Sequence, residues 1–127
     1  MTEDFDKIYS EALNNKEEFW SNIAGAITWD KMWDSVLDTS RSPFYRWFSG
    51  GRINTCYNAL DRHIDDGRAD QCALIYDSPI TNTIKKYSYK SLRDLVARFS
   101  GALANQGVKH GDRVVIYMPM IPEAVVT

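Results

Sequence analysis

Apolar side chains recur at intervals of three or four residues near the start of the chain, which is the spacing of an amphipathic helix. One series comprises Phe5, Ile8, Tyr9, Ala12 and Leu13, and the next comprises Phe19, Trp20, Ile23 and Ile27. The polar pair Asn14–Asn15 separates the two series, so the pattern predicts two short helices. Residues 28–38 carry large apolar side chains without a period, and we expect an irregular segment there.

A third helix is predicted after residue 53. Pro43 and Gly50–Gly51 interrupt the preceding stretch. Asn54 is a suitable N-cap, because its side chain can accept a hydrogen bond from the first turn. The apolar face of this helix consists of Ile53, Cys56, Tyr57, Leu60 and Ile64. Asp65, Asp66 and Gly67 then end the helix.

The pattern changes after residue 68. Residues 71–79 and 84–90 are predicted to be the two strands of a hairpin, joined by a turn at residues 81–83. Ser91, with Asp94 three residues later, resembles a capping box, and Gly107 marks the end of the helix that follows. The apolar stripe of this helix consists of Leu92, Leu95, Val96, Phe99, Ala102 and Leu103.

The last residues contain a turn at Gly111–Asp112 and an uninterrupted apolar run at residues 113–118. Such a run is typical of a strand covered on both faces. Pro119 ends it, and Pro122–Glu123 resembles the first turn of a helix. The order strand, strand, helix, strand and helix predicts the opening of an α/β sheet that is incomplete within these residues. We therefore expect a helical N-terminal segment over residues 1–67 and the start of the sheet domain over residues 68–127.

Composition supports a folded protein and excludes several classes. Hydrophobic residues make up 44% and charged residues 25% of the 127, and the net charge is −2. This balance argues against a disordered tail and, without a stripe of Lys and Arg, against a dedicated nucleic-acid binder. Two cysteines are too few for a disulfide framework. The start MTEDFDK is acidic, unlike a signal peptide. The sequence contains no run of about 18 apolar residues, the length needed to span a membrane. The cytoplasm is the expected compartment.

Few residues in this sequence suggest chemistry. Gly50–Gly51 matches no phosphate-binding glycine motif, and we interpret it as a tight turn. Cys56 and His63, with Asp61 between them, suggest a metal site or a thiol–imidazole pair. Zinc needs about four ligands, and positions seven apart on a helix are two turns distant. We therefore expect a buried Cys56 and a capping or salt-bridged His63.

Three other groups have a structural interpretation that outweighs the functional one. The charged stretches DRH and DDGR, between residues 61 and 68, are expected to form a solvated helix end, with a partner contact as the lesser alternative. Lys85–Lys86 alternates with aromatic residues, as in proteins that bind single strands, but the solvent face of an edge strand is favoured. Met118 and Met120 could form a docking surface, and core packing is favoured there. No residue in these groups is a persuasive catalyst.

Two long stretches of the chain resemble a known family. FYRWFSGGRINTCYNALDRHI, residues 44–64, resembles the N-terminal signature of the short-chain acyl-CoA synthetases, the acetyl- and propionyl-CoA ligases. Residues 73–125, from ALIYDSP to GDRVVIYMPMIPEAV, resemble the start of their AMP-binding domain. Within the family, RSPFYRWFSGGRINTCYNALDRH together with IYDSPIT is more similar to the propionyl branch than to the acetyl branch.

The resemblance implies that the parent protein is an AMP-forming ligase. In this family a short carboxylate, propionate or acetate, attacks the α-phosphate of ATP to give an acyl-adenylate and pyrophosphate, and the thiol of coenzyme A then displaces AMP. Mg²⁺ accompanies the nucleotide, and a domain rotation separates the two steps. The family's phosphate loop, adenine-binding segment, hinge, catalytic lysine and coenzyme A contacts have no counterpart in these 127 residues.

The resemblance therefore predicts an N-terminal fragment with no catalytic, cofactor-binding or metal-binding residue of its own. We expect the fragment to be inactive, to bind none of the parent's cofactors, and to need the rest of the same polypeptide to complete its sheet. Nucleic acid and membranes are not expected as partners. The main alternative is a non-catalytic interaction module that pairs through its open sheet edge, and a small nucleic-acid binder is a weaker one.

Overall fold

The computed structural model describes the backbone of residues 2–127 and the side chains of residues 4–127. The chain divides into two compact units, the first up to Thr55 and the second from Cys56 onward. The first contains α1 (Thr2–Asn14), α2 (Lys16–Ala24), β1 (Ser35–Asp38) and β2 (Arg46–Ser49). α3 (Thr55–Ala59) spans the division, and the second unit continues with α4 (Asp61–His63), a π-helical turn (Ile64–Arg68), β3 (Cys72–Ser78), β4 (Thr83–Ser88), α5 (Tyr89–Asn105) and α6 (Pro122–Val126). The mixture of helices and strands confirms the predicted fold class.

α1 and α2 confirm the two helices expected at the start of the chain. Asn15 separates them, and its backbone N–H still donates to the carbonyl of Glu11 at 2.8 Å. The rings of Phe5 and Tyr9 stack with centroids 5.9 Å apart, one helical turn from each other. Both rings remain exposed, so this pair covers only part of the apolar stripe of α1.

The first unit also contains a hairpin that the sequence pattern did not predict. β1 and β2 pair antiparallel, with Leu37 opposite Trp47 and Asp38 opposite Arg46. The irregular segment expected over residues 28–38 is therefore wrong for its last four residues. Neither strand alternates clearly between apolar and polar residues, but the aromatic side chains of β2 pack on rings that come from outside the two strands.

Those aromatic side chains belong to what we call the tryptophan cluster, which consists of Trp20, Trp29, Trp33, Trp47 and Phe48. The rings of Trp29 and Trp33 lie 4.9 Å apart, and the ring of Phe48 lies 5.5 Å from the first and 5.0 Å from the second. Trp47 joins Phe48 to Trp20 through ring separations of 6.0 and 6.3 Å. The indole N–H of Trp29 donates to the carbonyl of Ala24 at 2.9 Å, so the cluster also holds the end of α2.

The helix predicted after residue 53 forms only in pieces. Leu60 has φ −127° and ψ −67°, which breaks the helix between α3 and α4. Gly67 has φ +81°, a left-handed conformation that glycine adopts without steric cost, and it interrupts the π-helical turn. Leu60 is buried as expected, whereas Cys56 is exposed, so its predicted burial is wrong.

The second hairpin and the helix after it are confirmed, with one correction. β3 and β4 pair antiparallel along their length, and α5 packs on both strands and buries Leu92. The N-cap is Ser88, whose hydroxyl accepts from the N–H of Ser91 at 3.2 Å. The predicted capping box at Ser91 is therefore wrong by one turn, and Asp94 instead pairs with the neighbouring Arg93 at 2.9 Å.

The strand predicted at residues 113–118 is not formed, and this is the largest correction. No strand is assigned there, and the backbone of these six residues makes no hydrogen bond to the part of the chain that the structure describes. Val115 is 87% exposed and Tyr117 is fully exposed. The apolar run predicts a covered strand only where neighbouring strands exist, and none lies beside it among residues 2–127. The turn before it and the helix after it, α6, are both present as predicted.

Candidate functional site

Gly50 and Gly51 form the tight turn that the sequence predicts. Gly50 has φ +82°, and a side chain there would collide with the carboxylate of Asp34. A Cβ atom on Gly51 would lie 2.7 Å from the indole of Trp29, and the N–H of Gly51 donates to the carbonyl of Phe48 at 3.1 Å. Protein atoms, one of them an acidic group, occupy the space beside this backbone, so the two glycines do not offer a phosphate cradle.

The structure does not join Cys56 and His63 into a site. Partial desolvation, together with the charge of Asp61, raises the pKa of the Cys56 thiol. The thiol is therefore protonated at neutral pH and is a poor nucleophile or metal ligand. His63 lies against Arg68 and Tyr89 instead. Among the described residues, no group of three or more His, Cys, Asp or Glu side chains could hold a metal ion.

His63, Arg68 and Tyr89 form a cluster that the sequence pattern did not reveal. The imidazole and phenol rings lie 4.7 Å apart, and the Arg68 guanidinium carbon lies 5.7 Å from the centre of the Tyr89 ring. The guanidinium also contacts Nδ1 of His63. The expected cap or salt bridge for His63 is therefore wrong, because the left-handed turn at Gly67 folds Arg68 back onto the ring. This cluster joins the π-helical turn to the start of α5.

The remaining charged residues near this cluster form the solvated helix end that the sequence predicts. Asp65, Asp66 and Arg68 are exposed. Tyr57 donates from its hydroxyl to Asp65 at 3.1 Å, and this hydrogen bond to a carboxylate raises the pKa of the phenol. These contacts stabilise the turn locally, and they do not converge on a cavity.

Lys85 and Lys86 are exposed on β4, as expected for the solvent side of a strand. Met118 and Met120 are also exposed, the second to 93%, so the core packing expected for them is wrong. Met120 instead borders an apolar groove of about 110 Å³ between β3 and α6, where Tyr76 and Pro122 form part of the lining. A nucleotide or coenzyme A needs a pocket of roughly 300–1,000 Å³, so this groove is too small for either.

Two family models together account for nearly the whole chain. Residues 60–127 match the AMP-binding enzyme family, and residues 5–59 match the acetyl-coenzyme A synthetase N-terminus. The chain therefore belongs to the AMP-binding enzyme family. The N-terminal match narrows this to the short-chain acyl-CoA synthetases, which confirms the resemblance seen in residues 44–64 and 73–125.

Individual relatives agree with this family. The chain is 46% identical over 119 residues to the mitochondrial acyl-CoA synthetase short-chain family member 3 of Homo sapiens, a match that covers 94% of this chain and 17% of the relative. It is 40% identical over 120 residues to the acetyl-coenzyme A synthetase of Mycolicibacterium smegmatis, covering 94% of this chain and 13% of the relative. The acetoacetyl-CoA synthetase from Streptomyces lividans has a similar structure, with a TM-score of 0.81 and 29% identity over 92% of this chain and 18% of that one.

The chain thus spans less than one fifth of the length of each of these relatives. No helix among the described residues is both long enough and apolar enough to cross a membrane. Two expectations stay predictions. One is the domain boundary after residue 67, and the other is that no catalytic or cofactor-binding residue lies in this chain.

Proposed function

We propose that this chain forms the N-terminal part of an AMP-forming short-chain acyl-CoA ligase. The observation that carries the proposal is the unbroken match of residues 5–127 to the N-terminus and AMP-binding segments of such synthetases. In the proposed reaction a carboxylate oxygen attacks the α-phosphorus of ATP and pyrophosphate leaves. The sulfur of coenzyme A then attacks the acyl carbon, and AMP leaves with the bonding electron pair.

Propionate is the proposed acid, and acetate is the alternative. Propionate comes first because residues 41–63 and 75–81 are more similar to the propionyl branch of the family. Acetate is kept because a relative that is 40% identical is an acetyl-coenzyme A synthetase. ATP and coenzyme A are the proposed cosubstrates. The described residues offer no cluster of acidic side chains that fits Mg²⁺, so we assign no step of the reaction to a metal held by this chain.

The proposed role of these 127 residues is structural. The tryptophan cluster stabilises the N-terminal unit, and α5 covers one hairpin of the second unit. We propose that, in the ligase, strands from the remainder of the polypeptide pair with residues 113–118 and complete the sheet. The cytoplasm is the proposed compartment, although a relative from Homo sapiens is named as mitochondrial.

The test is carboxylate-dependent exchange of pyrophosphate into ATP, measured for the longer polypeptide that contains this chain. We expect exchange with propionate, less with acetate and none without acid, followed by acyl-CoA formation when coenzyme A is added. The 127-residue chain alone serves as the control and should give none. Exchange by the isolated chain would refute the structural role, and a folded longer polypeptide without exchange for either acid would refute the ligase.

A further inference from the structure

The cluster of His63, Arg68 and Tyr89, which we call the histidine cluster, contains a contact that needs a neutral imidazole. The guanidinium of Arg68 contacts Nδ1 of His63. A guanidinium only donates hydrogen bonds, so Nδ1 is the acceptor and the proton of the neutral ring lies on Nε2. An imidazole protonated on both nitrogens has no acceptor and carries a positive charge, so it loses this contact.

Arg68 is the member of the histidine cluster that has room to move. Its side chain is exposed, and it follows Gly67, which has φ +81°. A Cβ atom on Gly67 would meet nothing within 4 Å, so the space beside the backbone is open at this point. Loss of the contact with His63 is therefore expected to displace Arg68 and the end of the π-helical turn.

The segment that follows Arg68 holds the start of α5. The N–H of Lys90 donates to the carbonyl of Ala69 at 3.0 Å, and the N–H of Tyr89 donates to that of Gln71 at 3.1 Å. The first N–H groups of a helix have no acceptor within the helix, so these two hydrogen bonds supply the missing partners. Because Ala69 is bonded directly to Arg68, a displacement of Arg68 should weaken the hydrogen bond of Lys90 first.

We propose that His63 is a pH-sensitive switch, in which the neutral ring holds Arg68 and joins the π-helical turn to α5, and protonation releases both. An unperturbed imidazole is protonated below about pH 6.5, and His63 is only partly buried, so a proton can reach it. The unfolded chain binds this proton without losing a hydrogen bond. It therefore binds more protons than the folded chain, and the stability that the cluster contributes is present above that pH and is lost as the pH falls.

The other charges on the elements around His63 nearly balance. They are Asp61 and Arg62 on α4, Asp65 and Asp66 on the π-helical turn, and Lys90, Arg93 and Asp94 at the start of α5. Two of the carboxylates have partners of their own, since Asp65 accepts from the hydroxyl of Tyr57 at 3.1 Å and Asp94 pairs with Arg93 at 2.9 Å. The direct contact with Arg68 therefore decides which form of His63 the fold favours.

The experiment measures amide hydrogen exchange of the 127-residue chain by NMR at pH 7 and pH 5, expressed as protection factors. Carboxylates with ordinary pKa values stay ionised between these two pH values, so histidine is the side chain that titrates. The amide of Lys90 reports on the switch. The amide of Val108, which donates to the carbonyl of Leu103 at the other end of α5, reports on the helix itself. We expect the ratio of the Lys90 to the Val108 protection factor to fall about tenfold at pH 5, the loss expected for one hydrogen bond that involves a charged group.

Three variants separate the switch from a general effect of pH. In His63→Gln the amide oxygen can still accept from Arg68 and does not ionise, so the ratio should be the same at both pH values. Arg68→Met removes the donor, so its ratio should be low at both. His110→Gln is the matched control, because His110 is the other of the two histidines and is exposed in the turn before residue 113. It should keep the pH dependence of wild type.

The inference is overturned if the ratio in wild type is the same at pH 7 and pH 5, or if the amide of Lys90 is unprotected at both. It is also overturned if His63→Gln or Arg68→Met keeps the pH dependence, or if His110→Gln removes it. None of these measurements uses ligase activity, so a failure of the switch is distinguishable from a failure of the proposed function.

Discussion

At the scale of single residues, two different neighbours explain why glycines occur together at positions 50 and 51. Gly51 lies against the indole of Trp29 in the tryptophan cluster, and Gly50 has a left-handed backbone beside Asp34. Phe48 also has a positive φ, +51°, which is uncommon for an aromatic residue. Its ring packs on Trp29 and Trp33, and this packing holds the backbone in a conformation that costs about 1–2 kcal/mol.

Replacing Gly51 by Ala should destabilise the first unit. The new Cβ would lie 2.7 Å from Trp29 and 3.1 Å from the carbonyl of Phe48, so one of them must move. We expect a loss of about 1–3 kcal/mol, the usual cost of overpacking. Tryptophan fluorescence during denaturation reports on this unit, because all four tryptophans lie between residues 20 and 47.

Gly101→Ala is the control for that substitution. Nothing lies within 4 Å of a Cβ atom on Gly101, which is inside α5. The change should therefore stabilise α5 by about 0.5–1 kcal/mol through helix propensity. Far-UV circular dichroism monitors the unfolding of both variants. If Gly101→Ala destabilises the protein as much as Gly51→Ala does, the explanation based on Trp29 is wrong.

Asp38 should make stability depend on pH in the acid range. Hydrogen bonds from Ser40, whose N–H lies 2.9 Å from the carboxylate, lower the pKa of Asp38, with smaller contributions from Arg46 and Arg41. Because the folded pKa lies below the unfolded value of about 3.9, the stabilisation is present above that pH and is lost as the pH falls. We expect Asp38→Asn to lower the midpoint of thermal unfolding at pH 7, and to lower it less at pH 2, where the carboxylate is closer to full protonation. A difference of equal size at both pH values would refute the role of the charge.

At the scale of elements, α5 shows how strongly a helix is determined by its two ends. Its C-terminus is a Schellman motif, in which Val108 donates to the carbonyl of Leu103 at 3.1 Å and Gly107, with φ +88°, donates to that of Ala104 at 3.0 Å. Its N-terminus is capped by Ser88, the last residue of β4. Strand and helix therefore meet without a loop, which explains why the capping box at Ser91 was a misleading signal.

Replacing Ser88 by Ala should therefore cost about 1 kcal/mol, since the N–H of Ser91 loses its acceptor. Ser88→Asp should retain most of the stability, because a carboxylate can accept the same hydrogen bond. Ser91→Ala leaves that N–H in place and should cost less than Ser88→Ala. Urea denaturation followed by circular dichroism measures all three, and a larger loss for Ser91→Ala would restore the capping box predicted from the sequence.

At the scale of the whole molecule, few apolar side chains are well buried. Among the described residues, the buried apolar side chains are those of Ala24, Leu60, Leu92 and Pro122. Folding stability rises with the apolar area removed from water, so such a small core predicts marginal stability. The chain spans 17% of a relative that is 46% identical to it.

Exposed apolar surface should be measurable in the 127-residue chain by itself. We expect it to bind a dye that fluoresces on apolar surfaces under native conditions. We also expect its unfolding transition in urea to be shallow, because the slope scales with the surface newly exposed. A steep transition typical of a globular domain of this length, without dye binding, would show that the apolar side chains are covered in solution.

The sequence by itself determined the elements whose causes are local. The break at Asn15, the hairpin of β3 and β4, Gly107 at the end of α5 and Pro122 at the start of α6 all follow from periodicity, turn residues or capping. Two long motifs also sufficed to identify the family, because co-linear residue identities are specific even where no catalytic group is present.

Tertiary structure alone decided what depends on distant partners. Rings from α2 and from residues 29 and 33 pack on Trp47 and Phe48 of β2, and no local pattern encodes that packing. The contact of His63 with Tyr89 is likewise tertiary, because no local pattern pairs rings that are 26 positions apart. Residues 113–118 show the converse. Their sequence pattern predicts a covered strand, but a strand is completed by hydrogen bonds to neighbouring strands, and residues 2–127 do not provide them.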